Sequence, residues 1–185
     1  MSAETHGVTT FGSDLQRGKA GEEVLDEFFR TWYTIEPVPL ELEKVADIDR
    51  LWTDALGRRW TIEIKTDDRA ADTGRFFIET GGTTNPWAKT SLAQLLIFYV
   101  PGWEMAWIIP MTTIRRMLPE WIERGELETT KTTDLGESYR ARGVPIPIGE
   151  VEALGAKRID LTTRDLHPQG GKCTDRQSSS QLAIV

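Results

Sequence analysis

A chain of 185 residues with 39% apolar and 28% charged residues has the make-up of a globular domain with room for a full core. The net charge of −7 argues against a protein that coats nucleic acid non-specifically, because neutralising phosphates needs a basic surface, though a local basic patch can still hold a backbone. No apolar run is long enough to cross a bilayer, and Met1 to Thr10 has neither the basic nor the apolar region of a signal peptide. A cytoplasmic protein without a membrane partner is expected. Cys173, the one cysteine, excludes an internal disulfide and a cysteine-rich zinc site. With His6 and His167 near opposite ends, hydrolytic chemistry would fall to carboxylates and lysine.

Residues 1–12 read as a flexible N-terminus, 13–166 as a single domain and 167–185 as a disordered tail rich in Gly, Ser and Gln. Ser13 or Asp14 can cap a helix running to about Trp32, whose apolar stripe is Gly21, Val24, Leu25, Phe28, Phe29 and Trp32. Gly18 lies at the edge of that stripe, where a missing side chain permits close approach to a sheet. At roughly 100° per residue Glu22 falls at the stripe's margin, whereas Glu23, Asp26 and Glu27 point away. Glu22 is therefore the acid of this helix able to reach a site beside a sheet. The run from Gly12 to Gly18-Lys19-Ala20 imitates a phosphate-binding loop, but its gap is one residue too long and Ala20 lacks the hydroxyl that Mg²⁺ needs. No nucleotide cofactor is expected.

Tyr33 to Lys44, with two prolines among Val38, Leu40 and Leu42, predicts an irregular edge strand. A hairpin follows: Asp47-Ile48-Asp49-Arg50-Leu51-Trp52, a turn over Asp54 to Arg58 in which Gly57 can take positive φ, and Trp60-Thr61-Ile62-Glu63-Ile64-Lys65-Thr66-Asp67. Alternation sets Glu63 and Lys65 on one face and Ile62 and Ile64 on the other; Asp47, Asp49 and Leu51 likewise share a face. Pairing brings an Asp of the first strand beside Glu63 and Lys65. Crowded carboxylates repel one another unless a cation neutralises them, and hard oxygen ligands suit Mg²⁺ or Mn²⁺. An EF-hand at Asp47-Ile48-Asp49 is excluded, since Leu51 and Trp52 stand where a ligand and a glycine belong.

Beyond the hairpin, Gly74 to Glu79 predicts a short strand and Gly81 to Pro86 a flexible connection of the kind that borders clefts. Trp87 to about Leu95 reads as a helix, Leu96 to Val100 and Trp103 to Ile109 as strands, and Thr112 to Arg124 as a helix with Ile114, Met117, Leu118, Trp121 and Ile122 inward. Trp52, Trp60, Trp103 and Trp107 fall in strands and are expected in the core. Tyr139-Arg140-Ala141-Arg142 is either a basic, aromatic contact for a phosphate backbone or a solvated strand face. Glu150 to Leu154 reads as a helical turn beside Ile159 and Leu161.

Asp49 followed by Glu63-Ile64-Lys65 resembles the Asp…Glu-x-Lys signature of the PD-(D/E)xK nuclease superfamily, which includes restriction endonucleases, archaeal-type Holliday junction resolvases and phage or repair nucleases. Gly18-Lys19-Ala20-Gly21-Glu22 resembles the Gly-x-x-Gly-Glu helix of its resolvase-like members, and the element order over about residues 14 to 109 is similar to their αβββαβ core. The resemblance implies an α/β, restriction-endonuclease-like fold with a mixed central sheet flanked by helices. It implies a metal-dependent DNA endonuclease of repair, recombination or phage and mobile-element processing. Asp49 and Glu63 would hold one or two Mg²⁺ or Mn²⁺ ions, with Glu22 helping directly or through water and Asp47 in reserve, while Lys65 orients or activates the attacking water. Gln94 stands where many relatives carry Gln or Lys on the second core helix, although a plain surface glutamine is the commoner explanation; Lys89 and Arg75 are candidate phosphate contacts, as are Arg140 and Arg142. Junction resolution would further require a homodimer with paired sites. The alternatives are a non-catalytic DNA-binding or assembly module that retains the fold, and a small-molecule or protein-binding α/β domain with a coincidental motif.

Overall fold

The computed structural model describes residues 11–40, 45–82, 86–132 and 138–163. The expected tail at 167–185 lies outside these residues, as do Met1 to Thr10; Phe11 and Gly12, assigned to a flexible N-terminus, are helical. Helix α1 is Phe11–Phe29, so Ser13 and Asp14 sit inside its first turn and Trp32 beyond its end. The strands that follow are β1 (Tyr33–Pro37), β2 (Arg50–Asp54) and β3 (Arg59–Thr66). Then come a one-turn helix α2 (Ala70–Thr73), β4 (Arg75–Gly82), a second single turn α3 (Trp87–Thr90), β5 (Leu95–Val100) and β6 (Met105–Pro110). Helix α4 (Met111–Arg124), β7 (Leu127–Thr132), β8 (Ser138–Pro147), α5 (Ile148–Ala153) and β9 (Lys157–Asp160) complete the chain.

Six strands form a mixed central sheet in the order β1-β2-β3-β5-β6-β9, antiparallel except for the parallel pair β3–β5. A parallel neighbour requires a crossover, and the chain between β3 and β5 supplies one through α2, β4 and α3. Leu95-Leu96-Ile97-Phe98-Tyr99-Val100 is buried throughout, the unbroken apolar run of a central strand covered on both faces. One face carries α1: Leu25 and Phe29 pack on Trp52, Ile62, Ile64 and Ile97. Val24, expected in that contact, is 41% exposed. Gly21, not Gly18, makes the close approach, because a Cβ at Gly21 would fall 2.1 Å from Thr66 Oγ1 while one at Gly18 would meet open space.

The opposite face is covered by a second, three-stranded sheet in the order β4-β8-β7, together with α4 and α5. Phe76 stacks on Phe98 at 4.2 Å between ring centroids, and Ile78, Val144, Ile146, Ile114 and Trp121 complete this layer. The helix expected over Trp87 to Leu95 is one turn only, because Ser91 N–H closes it onto Trp87 C=O and the next residues run extended into β5. Trp52 and Trp107 are in the core as expected, but Trp103 lies in a 3₁₀ turn and Trp60 is half-buried.

Candidate metal and nucleic-acid site

The hairpin forms as the sequence requires. Asp54 Oδ1 accepts the N–H groups of Leu56 and Arg58, and Gly57 turns the chain at φ 77°. Because Ile62 and Ile64 go under α1, strand alternation sends Glu63 and Lys65 to the other face, in register with Leu96 and Phe98. That face is the crevice between the two sheets. Strand β2 stops at the pair Arg50–Ile62, leaving the last four residues of β3 without it as a neighbour. At this notch Asp49 N–H donates to Ile62 C=O at 2.8 Å, one residue off the strand's register, and Asp49 Oδ2 accepts Ile64 N–H at 2.6 Å. A side-chain carboxylate thus replaces the backbone acceptor that a longer β2 would have supplied.

Glu63 is 2% exposed. Its Oε1 accepts from Lys65 Nζ at 2.5 Å, while Oε2 is buried with no hydrogen-bond partner. Burial pushes the Glu63 carboxyl up to about 8; Lys65 opposes that rise, and Asp49 and Asp47 add to it. Burial also works against the charge on Lys65, but Glu63 and Asp49 outweigh it and hold the ammonium above the ordinary lysine value. The ammonium lies 5.8 Å from the centre of the Trp87 ring, a cation–π contact from α3. Trp87 is the site residue that sequence reasoning missed, since an aromatic opening a short helix carries no distinguishing signal.

Asp47 does not share the strand face expected of it. Its φ of 47° breaks the strand before β2 begins, and it ties down α3 instead: Thr90 Oγ1 donates to Asp47 Oδ2 at 2.6 Å and Ser91 Oγ to Asp47 C=O at 2.8 Å. It still acts on Glu63 through its charge. Glu22 lies on α1 and pairs with Arg50 Nη2 at 2.8 Å. Burial raises its pKa, the Asp49 charge adds to the rise, and Arg50 opposes it. Asp26, expected to point outward, is 7% exposed and bonded to Arg50. One signal for it was present, because Asp26 is four residues after Glu22 and so lies on the same strip of the helix.

Gln94 is on no helix. It is pinned to β3 through Thr61: Gln94 N–H donates to Thr61 C=O at 2.9 Å and to Thr61 Oγ1 at 3.0 Å, and Thr61 N–H donates to Gln94 Oε1 at 3.0 Å. Lys89 is exposed on α3, and Arg75 is exposed at the start of β4, opposite Pro147. Arg140 and Arg142 are exposed on either side of the buried Ala141. Arg140 pairs with Glu128 at 3.2 Å, and Arg142 lies over Gly81, where a Cβ would come within 3.1 Å of its guanidinium.

Among the described residues, no group of three or more His, Cys, Asp or Glu side chains is spaced to hold an ion by itself. The protein offers a carboxylate pair, Asp49 and Glu63. That pair suits Mg²⁺, which is held by one or two carboxylates with water and substrate phosphate completing its octahedron. The buried, unpartnered Glu63 Oε2 beside a second acid fits such a cation, because a positive charge there would relieve both the orphaned oxygen and the mutual repulsion. No described helix is long and apolar enough to cross a membrane.

No protein-family model matches the chain, and no curated protein does either. Among solved structures the bacterial homing endonuclease I-Ssp6803I is similar, with a TM-score of 0.44 and 16% identity, over 57% of this chain and 74% of that one. A likeness at that level is too distant to assign chemistry, which rests on the site itself.

Proposed function

We propose that this protein is a metal-dependent DNA endonuclease that hydrolyses phosphodiester bonds, in which Asp49 and Glu63 hold Mg²⁺ or Mn²⁺ and Lys65 orients the attacking water. The observation that carries the reading is Glu63: a carboxylate buried to 2%, one oxygen on Lys65 and the other without a partner, next to the Asp49 carboxylate. Burying an acid in this way costs stability, and groups held at such a cost cluster at functional sites. A divalent ion bound there would supply a nucleophile at neutral pH and relieve charge on the phosphorane-like transition state. Lys65 contributes a donor within reach of water bound beside Glu63, and Trp87 limits where its ammonium can sit. Arg140 and Arg142, with Lys89 and Arg75, are the proposed phosphate contacts. DNA repair, recombination or mobile-element processing is the setting that the signature suggests.

Supercoiled plasmid incubated with Mg²⁺ or Mn²⁺ tests this. Wild-type protein is expected to cut it, and Lys65→Ala and Glu63→Ala to lose about 100-fold or more in rate with the fold retained. Wild-type cleavage by purified, folded Lys65→Ala would overturn the assignment. The alternative is a non-catalytic DNA-binding module that keeps the fold. The Lys65–Glu63 ion pair favours it, since each group already answers the other's charge. Calorimetric titration with Mn²⁺ separates the two, because a scaffold need not take up the ion.

A further inference from the structure

Behind the sheet, on the α1 side, the guanidinium of Arg50 is bound on all its edges. Nε donates to both carboxylate oxygens of Asp26, at 3.0 and 3.3 Å, and Nη2 pairs with Glu22 Oε2 at 2.8 Å. Nη1 donates to the backbone carbonyl of Asp49 at 2.9 Å. The side chains are largely withdrawn from water, with 18% of Arg50 and 11% of Asp26 exposed, so these charge-assisted bonds hold more firmly than surface pairs. The carbonyl they hold lies where the chain has just left the ladder: Asp47 is at φ 47°, and Asp49 N–H is one residue off register. Backbone outside a ladder has fewer bonds to keep it still. Here the Asp49 carboxylate is fixed by Ile64 N–H and its carbonyl by Arg50.

We propose that Arg50 is the positioning residue of the site, holding the Asp49 main chain from behind the sheet, with Glu22 and Asp26 serving as its anchors rather than as ligands of the ion. This rests on the metal-site reading above. Lysine cannot replace the arginine, because a single ammonium cannot reach two carboxylates and a carbonyl in the directions a planar fork does. The Glu22 carboxylate is already engaged with the guanidinium at 2.8 Å.

Titration of the full chain with Mn²⁺ by calorimetry, beside thermal unfolding without metal, tests the proposal. Arg50→Lys is expected to weaken Mn²⁺ binding by about 10-fold while still unfolding cooperatively, as does loss of an outer partner at other metal sites. It should lower kcat for DNA cleavage more than it raises KM. Glu22→Ala should also weaken the ion, and Glu22→Gln, which keeps an oxygen toward the guanidinium without a charge, should restore it. Glu22→Gln that binds Mn²⁺ as poorly as Asp49→Asn would make Glu22 a ligand and overturn the proposal. So would Arg50→Lys that binds like wild type. If Arg50→Lys fails to fold, the Glu22 pair decides alone, since it disturbs one anchor of the two. Wild-type protein that takes up no Mn²⁺ overturns the metal-site reading and this inference with it, a different result from intact binding that the variants leave unmoved.

Discussion

Glu63 is an acid that gives up its proton less readily in the metal-free fold than in the unfolded chain. Its pKa stands at about 8 against an ordinary 4.5, raised first by burial, with Lys65 pulling it back and Asp49 pushing it further. Below pH 4.5 the folded and unfolded chains both carry the proton, and the group costs nothing. Between 4.5 and about 8 the unfolded chain gives up a proton that the folded chain keeps, so stability falls as pH rises, and the loss is complete above the folded value. Denaturant unfolding of metal-free protein at several pH values across that window should show the decline. Glu63→Gln, which cannot titrate, should flatten it. Equal slopes in the two proteins would mean that Glu63 is not the group responsible. A divalent ion bound at Glu63, as proposed, would compete with the same proton, so Mn²⁺ affinity should rise over the same window.

The element that decides whether this site exists is α1, because its seat on the sheet sets where Arg50, Glu22 and Asp26 meet. Gly21 makes that seat. A Cβ there would lie 2.1 Å from Thr66 Oγ1 and 3.1 Å from the Tyr99 ring, whereas Gly18, one turn earlier, faces open space. Gly21→Ala should therefore destabilise by about 1–3 kcal/mol through overpacking. Gly18→Ala should be neutral or stabilise by up to about 1 kcal/mol, as alanine does in an exposed helix interior. Thermal unfolding of the two variants checks the pair, and a stable Gly21→Ala would contradict the packing. The hairpin was legible in the sequence because its cause is local: Asp54 and Gly57 make the turn, and the alternation from Trp60 to Lys65 fixes which side chains face together. The second sheet was not legible. Its pairing of Phe76 with Ile146 spans seventy positions, and no local pattern in Arg75 to Gly82 names Pro145 and Pro147 as neighbours. Asp47 was misread because a positive φ at an aspartate leaves no mark in a strand-like pattern. Gln94 was misread because α3 ends a turn early.

Across the whole molecule, a net charge of −7 sets a condition on any contact with DNA: attraction must come from a few well-placed cations against an unfavourable overall field. Strand β8 offers such a placement. Alternation puts Arg140 and Arg142 on the face that Val144 and Ile146 turn toward the core, but beyond its edge, where both are exposed. The β-bulge between Glu79 and Gly81 brings the bare Gly81 beneath Arg142, so the guanidinium lies over backbone instead of over a side chain. The two arginines are not equivalent, because Glu128 sits 3.2 Å from Arg140 and partly neutralises it. If β8 tracks the phosphate backbone, Arg142→Ala should reduce the slope of log K for DNA against log salt by about 1, the loss of one neutralised phosphate. Arg140→Ala should reduce it by less, since displacing Glu128 offsets part of the gain, and Glu128→Gln should steepen the slope in the wild-type background. Fluorescence anisotropy of a labelled duplex over a salt series measures all three. An unchanged slope in Arg142→Ala would move the DNA path off the second sheet, leaving Lys89 on α3 and Arg75 on β4 as the cations still to be tried.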